Sequence, residues 1–253
     1  HNIRKNSLKE AFQVKKLLNK FGIKLNVINN KKKITKNVQG EARKVRYKNL
    51  IDFSKKRGSK IIITAHNLED QVETFLIRLS RGSGLTGLSS MSTLTKLEKN
   101  LFLYRPLLDV QKKILIEISK KTFKKYFKDT SNSNQKYLRT KIRNLRIPLK
   151  KSGIEYDQII KSIKNLASSK ATIDKYFKVS LKDIIKKKTK NDVEINFNKF
   201  SKINIEFKKK IINEAIKKLK GNYYNLRSKK VISLIDRIQS KKFKRTTLGG
   251  CIF

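Results

Sequence analysis

Residues 61–91 read IIITAHNLEDQVETFLIRLSRGSGLTGLSSM, and their reading decides the fold. Ile61, Ile62 and Ile63 form a continuous β-branched run, the pattern of a strand buried on both faces of a parallel sheet. Asn67 stands where a helix N-cap belongs and Asp70 follows three residues later, so a helix opens at the carboxyl end of that strand. Ligands of open α/β sheets bind at such ends.

At 100° per residue, Val72, Phe75, Leu76 and Leu79 share one arc of roughly 100° and predict the buried stripe of this helix. Asp70 and Glu73 fall together on the opposite side, beside His66 at the strand tip, so three polar groups converge at one mouth. Glu69 is read as an acid that complements the helix dipole. Arg78 and Arg81 occupy the last turn, where cations suit the dipole, and Gly82 supplies a left-handed C-cap. Gly84 and Gly87 follow in a loop whose backbone can approach a ligand or another chain closely.

The string A-H-N-L-E-D-Q-V-E-T-F-L-I-R-L-S-R-G-S-G-L-T-G-L resembles the central motif of the tRNA(Ile)-lysidine synthase family, Ala-His-x-x-x-Asp-Gln-x-Glu-Thr running into Arg-Gly-Ser-Gly-x-x-Gly-Leu. Glu69 stands where relatives often carry a first aspartate; Asp70 is kept. The resemblance implies an enzyme that uses ATP to activate the wobble cytidine of an isoleucine tRNA and joins free lysine to it.

Composition agrees with such a partner. There are 64 Lys and Arg against 19 Asp and Glu, a formal net charge of +45, which favours a polyanion and salt-sensitive binding. Part of that excess is the solvated surface of a chain rich in lysine throughout. A single cysteine, Cys251, excludes an internal disulfide framework and a CxxC metal pair. No apolar run approaches the ~20 residues that span a bilayer, and no secretory leader opens the sequence. The expectation is a cytoplasmic protein without a membrane partner. The sequence begins with His1 rather than Met, which points to a missing N-terminal portion.

Upstream, Ser7 and Glu10 form a capping box before a helix whose apolar face is Ala11, Val14, Leu17, Leu18 and Phe21, ended by Gly22. Ile23, Leu25 and Val27 alternate as a strand, and 29–37 reads as a loop. A helix over 38–56 has an inner arc of Val38, Ala42, Val45, Leu50 and Phe53, with Arg46 and Asn49 inside it. An inward arginine must meet an acid or an anionic ligand. E-A-R-K-V-R-Y resembles the family's Glu-Ala-Arg-x-x-Arg-Tyr, whose arginine contacts the ATP side of the site, and this implies Arg46, with Arg43 as the weaker candidate pointing elsewhere. His1 to Arg4 resembles the end of the family's Asp-His-Gly-Leu-Arg motif.

Downstream, a hairpin over 94–97 and 101–104 turns at Lys99 and Asn100, Arg105-Pro106-Leu107-Leu108 resembles the family's Arg-Pro-Leu-Leu, and a helix covers 111–127. Asp129-Thr130-Ser131-Asn132 corresponds to Asp-Pro-Ser-Asn. Over 136–147 a helix divides its faces, Leu138, Ile142 and Leu145 on one, Arg139, Arg143 and Arg146 on the other. That stripe can follow phosphates or buttress acids of a neighbouring element. It resembles the family's Phe-x-Arg-x-Arg-x-Arg region, which assigns it to tRNA contact.

Pro148 and Gly153 mark the domain boundary. Beyond it the pattern predicts a helix over 155–188, a strand at Val193, Ile195 and Phe197, and helices over 205–219 and 228–238. Tyr223, Tyr224 and Arg227 form a loop suited to RNA stacking and phosphate contact, and T-T-L-G-G-C resembles the Thr-Leu-Gly-Gly strand start of relatives.

The expected fold is α/β: a Rossmann-like parallel-sheet ATP pyrophosphatase domain over 1–150 and a smaller α+β tRNA-binding domain over 151–253. The resemblance implies Asp70 and Arg46 as catalytic, Asp70, Glu73 and His66 at lysine, Arg46, Arg43 and His66 at ATP, and Arg81, Arg139, Arg143, Arg146 and Arg227 at tRNA(Ile). ATP and Mg2+ are the expected cofactors, with no metal ligands in the chain itself, and a homodimer is left open. The Ser-Gly-Gly-x-Asp-Ser loop that cradles the ATP phosphates in this superfamily does not occur in the 253 residues. The sequence as it stands is therefore expected to bind tRNA without catalysing. The alternatives are a non-catalytic tRNA-binding protein and a tRNA-thiolating ATP pyrophosphatase, the latter disfavoured by the single cysteine.

Overall fold

The computed structural model describes residues 7–30, 34, 38–127, 135, 137–189, 191–220, 226–240 and 243–253. The sequence readings at His1 to Arg4, Asp129 to Asn132, Tyr223 and Tyr224 lie outside the described residues. Contacts separate the chain into two units, His1–Ala167 and Ser168–Phe253.

The first unit runs α1 (Ser7–Asn19), α2 (Val38–Lys56), β1 (Ile61–Ile63), α3 (Leu68–Leu79), α4 (Leu85–Leu88), β2 (Leu94–Glu98), β3 (Leu101–Tyr104), α5 (Lys112–Phe123), α6 (Leu138–Asn144) and α7 (Arg146–Lys151), then enters α8 (Tyr156–Ile184). Its sheet has the order β1-β3-β2, with β1 parallel to β3 and β2 antiparallel at the edge. A parallel pair needs a crossover, and α3 supplies it between β1 and the β2–β3 hairpin. The class is α/β, as expected.

Side chains alternate across the sheet, so one face gathers Ile62, Leu101 and Leu103, covered by Tyr47, Leu50 and Ile51 of α2. The other carries Ile61 and Ile63, which are exposed. The expectation of a strand buried on both faces is thus corrected: all three isoleucines suit a strand, but only Ile62 has a covering layer. The strand expected at Ile23, Leu25 and Val27 also does not form; these residues have no ladder partners among the described residues, and a strand needs a neighbour to exist.

A second layer joins α3 to the start of α8, where Leu68 and Val72 pack on Ile159, Ile160 and Ile163, flanked by Phe75 and Leu76. This packing carries the division between units to Ala167 and Ser168, inside α8, rather than to Pro148. Pro148 falls in the first turn of α7, where a missing N–H costs no helix bond.

The second unit contains the end of α8, β4 (Ile185–Lys188), β5 (Val193–Ile195), α9 (Phe197–Lys202), α10 (Ile205–Lys220), α11 (Ser228–Gln239), β6 (Thr247–Leu248) and β7 (Cys251–Ile252). Phe177, Phe200, Ile211, Ile212, Ile216, Val231 and Ile235 form its core. Two boundaries differ from expectation. The helix stops at Ile184 and Ile185, Lys187 and Lys188 pair with β5, the register shifting between Ile185 and Lys187; Phe197 leaves the strand because the Asn196 carboxamide oxygen caps α9 through the Lys199 N–H at 3.2 Å. Gly249 and Gly250, both at positive φ, make the turn between β6 and β7, an arrangement other residues adopt only at a cost. Among the described residues no helix is long and apolar enough to cross a membrane.

Candidate active site

The site is built at the carboxyl end of β1. The Thr64 N–H continues the ladder to the Tyr104 carbonyl at 3.0 Å, and the chain then turns through His66 into α3. Asn67 and Asp70 form the expected capping box: the Asn67 Oδ1 accepts from the Asp70 N–H at 3.0 Å, and the Asp70 Oδ2 accepts from the Asn67 N–H at 3.1 Å. This reciprocal pair fixes the Asp70 carboxylate and leaves Oδ1 free of the cap, where Arg139 meets it.

Nδ1 of His66 lies 2.9 Å from the Thr64 hydroxyl. Burial pushes the imidazole down from 6.5 to about 4; Asp70 opposes the shift, while Arg105, Arg43 and Arg139 reinforce it. His66 is therefore neutral at pH 7 and serves as a hydrogen-bonding group rather than a cation.

The deepest group is Glu73, only 1% exposed. A bare carboxylate there would be prohibitively costly, and two arginines of α6 compensate it. Arg139 spans both acids, Nε to the Glu73 Oε2 at 2.7 Å and Nη2 to the Asp70 Oδ1 at 2.9 Å. Arg143 takes Glu73 side-on, Nε to Oε1 at 2.7 Å and Nη2 to Oε2 at 3.2 Å. The hydrogen bond to Glu73 holds the Arg143 guanidinium above its ordinary value despite partial burial. Arg146 reaches Glu69 at 3.7 Å.

The faces of α6 are thus reversed from a simple amphipathic reading. Leu138 and Leu145 are exposed, only Ile142 of the apolar set is buried, and the arginine stripe turns toward α3. The neighbour's inner surface is acidic, so charge rather than apolar area decides which face docks. Glu69 also does more than complement a dipole: its Oε2 accepts the Lys112 N–H at 2.8 Å and pins the first turn of α5.

Around these acids opens a cleft of about 560 Å³ lined by Asn67, Glu69, Asp70, Glu117, Arg143 and Tyr156, with lysines of α5 at its rim. Glu117 and Tyr156 went unrecognised in the sequence, where an isolated acid and an isolated tyrosine carry no signal.

Beside the strand tip, α2 is rotated from its expected orientation. Its packed side chains are Tyr47, Leu50 and Ile51, with Ala42 and Ser54 buried. Arg46 is exposed rather than inward, 5.7 Å from the Tyr47 ring centroid, and makes no hydrogen bond or ion pair among the described residues. Partial burial, then Arg43, lowers its pKa, and it also senses Asp70 and Arg139. Arg43 does not point elsewhere: it stacks 4.9 Å from the Tyr47 centroid, and its charge acts on Arg46, His66 and Arg78. His66, Arg43, Arg46, Asp70, Glu73, Arg139 and Arg143 are therefore brought together, while Arg81 is exposed beyond α3 and Arg227 is exposed at the N-cap of α11 in the second unit.

The glycine loop is held from below. Arg78 donates through Nη1 to the Gly87 carbonyl at 2.6 Å and the Ser90 carbonyl at 2.8 Å, a role beyond the dipole. Gln71 brackets Met91, Nε2 to its carbonyl at 2.8 Å and Oε1 from its N–H at 2.9 Å. Gly82 adopts φ +64°, as a left-handed C-cap requires. Arg105 is buried, donating to the Ser92 carbonyl at 2.7 Å and the Thr95 hydroxyl at 2.8 Å. No group of three His, Cys, Asp or Glu able to hold a metal occurs among the described residues.

Residues 1–149 match the family model described as the PP-loop domain. The chain belongs to the PP-loop family. Among its curated relatives, a tRNA(Ile)-lysidine synthase of Wolbachia pipientis wMel is 31% identical over 254 residues, covering 99% of this chain and 59% of that protein. Another of the same name, from Bradyrhizobium diazoefficiens, is 33% identical over 175 residues, covering 69% of this chain and 48% of the relative. The resemblance to the tRNA(Ile)-lysidine synthases read from the central motif is borne out, and the chain spans 59% of the length of the Wolbachia relative. A U34-tRNA thiolase of Methanococcus maripaludis shares the PP-loop fold, with a TM-score of 0.51, 17% identity, and coverage of 66% of this chain and 58% of that one.

Proposed function

We propose that the whole protein ligates free lysine to the wobble cytidine of tRNA(Ile) at the expense of ATP, through an adenylated tRNA intermediate, in the cytoplasm. The observation that carries this reading is an acid pair, Asp70 and Glu73, set beside a cleft at the end of a parallel strand, with Arg46 of α2 within electrostatic range of Asp70. In the first step the cytidine carbonyl oxygen attacks the α-phosphorus of ATP and pyrophosphate leaves. Arg46 and Arg43, which have no acid partner among the described residues, supply charge for the phosphates, and His66 donates or accepts as a neutral ring. In the second step the ε-amine of lysine attacks the activated ring carbon and AMP leaves with the former carbonyl oxygen.

The amine arrives as an ammonium and must lose a proton. Asp70 is the acid placed to meet it, since it lines the cleft and is a quarter exposed. Glu73 has both oxygens occupied and is nearly inaccessible, so its part is to fix the arginines rather than to touch lysine. Magnesium, implied with ATP, would be carried largely on the nucleotide's phosphates, since no group of three His, Cys, Asp or Glu that could hold a metal ion occurs among the described residues. Arg81, Arg146 and Arg227 are the exposed arginines assigned to tRNA phosphates. A thiolation reaction draws no support from these 253 residues, whose one cysteine, Cys251, is buried in β7.

The test is incorporation of labelled lysine into a tRNA(Ile) transcript by the whole protein with ATP. Incorporation at the wobble cytidine supports the reading. Tight tRNA binding without ATP-dependent incorporation would replace it with a non-catalytic binding protein.

A further inference from the structure

Building on the reading that α2 meets the phosphates of ATP, we infer that Tyr47 is a positioning residue whose ring holds the guanidiniums of Arg43 and Arg46 together as one clamp for that polyphosphate.

The arginines around the strand tip differ in what engages them. Arg78 donates to backbone carbonyls, Arg105 to a carbonyl and a hydroxyl, and Arg139 and Arg143 to carboxylates. Arg43 and Arg46 have no acid partner among the described residues, and both rest on a single ring. Their Cζ atoms lie 4.9 and 5.7 Å from the Tyr47 centroid, inside the ~6 Å over which a ring face attracts a cation. Arg43 also donates through Nη2 to the Tyr47 hydroxyl at 3.4 Å.

The ring is itself anchored. Tyr47 is half-buried and packs with Leu50 and Ile51 against Ile62, Leu101 and Leu103 of the sheet. It therefore ties the two cations to the core, whereas arginines on an open helix surface keep their rotamer freedom. Two guanidiniums so close repel each other, and partial burial together with Arg43 lowers the pKa of Arg46. The negative face of the ring opposes that repulsion and keeps both charges in place before a ligand arrives. Charge set in advance needs no rearrangement when phosphates enter.

The pair also acts on the right place. Arg46 senses Asp70 and His66 senses Arg43, so both fields reach the carboxyl end of β1, where the acid pair stands. Adjacent guanidiniums match the adjacent anionic groups of a polyphosphate, each fork taking two oxygens.

The experiment is calorimetric titration of ATP with magnesium into the whole protein in the absence of tRNA. Tyr47→Leu is expected to weaken ATP binding about 10-fold, and Tyr47→Phe, which keeps the ring face, by less than about 3-fold. If Tyr47→Leu does not fold, Tyr47→Met takes its place with the same expectation, since a thioether chain fills the space without a ring. Replacing both arginines, Arg43→Gln with Arg46→Gln, is expected to weaken binding about 30-fold, and adding Tyr47→Leu to that protein is expected to change it by less than about 2-fold. A ring that only packed the core would cost the same in both backgrounds. No loss in Tyr47→Leu, or an equal loss with and without the arginines, overturns the positioning role. ATP affinity unchanged by removal of both arginines overturns the placement of the phosphates beside α2, the reading on which the clamp rests.

Discussion

Arg143 grips Glu73 through both carboxylate oxygens, at 2.7 and 3.2 Å, and thereby fastens α6 to the innermost face of α3. Breaking a buried pair by removing one charge costs ~3–5 kcal/mol, and partial exposure of both arginines lowers this. Glu73→Gln should destabilise the protein by roughly 2–3 kcal/mol and release α6, read as a lower urea midpoint and as faster amide exchange in 138–144. An unchanged midpoint would mean that the pair is incidental.

The neutral His66 gives stability a defined pH dependence. Its folded value, about 4, lies below the ordinary 6.5, so between these values the unfolded chain binds more protons and stability falls as pH falls. The loss begins near pH 6.5 and levels off below about 4. Urea midpoints at pH 7, 6 and 5 should decline more steeply for wild type than for His66→Gln. Parallel declines would place the titration elsewhere.

The glycine loop after α3 tolerates little added volume at one point. A Cβ on Gly87 would lie 2.6 Å from the Ser83 Cβ, an atom that cannot move without the backbone. Gly87→Ala is expected to cost ~1–3 kcal/mol of local stability, seen as faster proteolytic cleavage within 82–91, while Gly84→Ala, which meets nothing within 4 Å, should leave cleavage unchanged.

Much of the frame was legible in the sequence for a physical reason: local signals act over a few residues. The Ile61 to Ile63 run, the Asn67 and Asp70 capping box, the 94–104 hairpin and the left-handed Gly82 all depend on neighbours in the chain, and all occur; of the predicted stripe of α3, Val72, Phe75 and Leu76 pack inward, while Leu79 at its end is 51% exposed. What depended on distant neighbours was less legible. The arginine stripe of α6 showed a polar face, but only the acidic inner side of α3 turns that face inward. The rotation of α2, which leaves Arg46 exposed and brings the charge of Arg43 within range of His66, follows from its fit onto Ile62 and Leu103. Gln71 and Arg78 looked like ordinary helix residues because the loop carbonyls they hold lie 9 to 20 positions away.

The central claim is that Asp70 meets the amine of lysine, and Asp70→Asn in the whole protein tests it most directly. Asparagine keeps the size and the hydrogen bond from its own cap but removes the charge and the proton acceptor. The measurement is lysine incorporation into tRNA(Ile) alongside tRNA affinity, at one salt concentration. Incorporation is expected to fall by about 10³-fold or more, with tRNA affinity within about 2-fold of wild type. Incorporation at the wild-type rate would contradict the assignment.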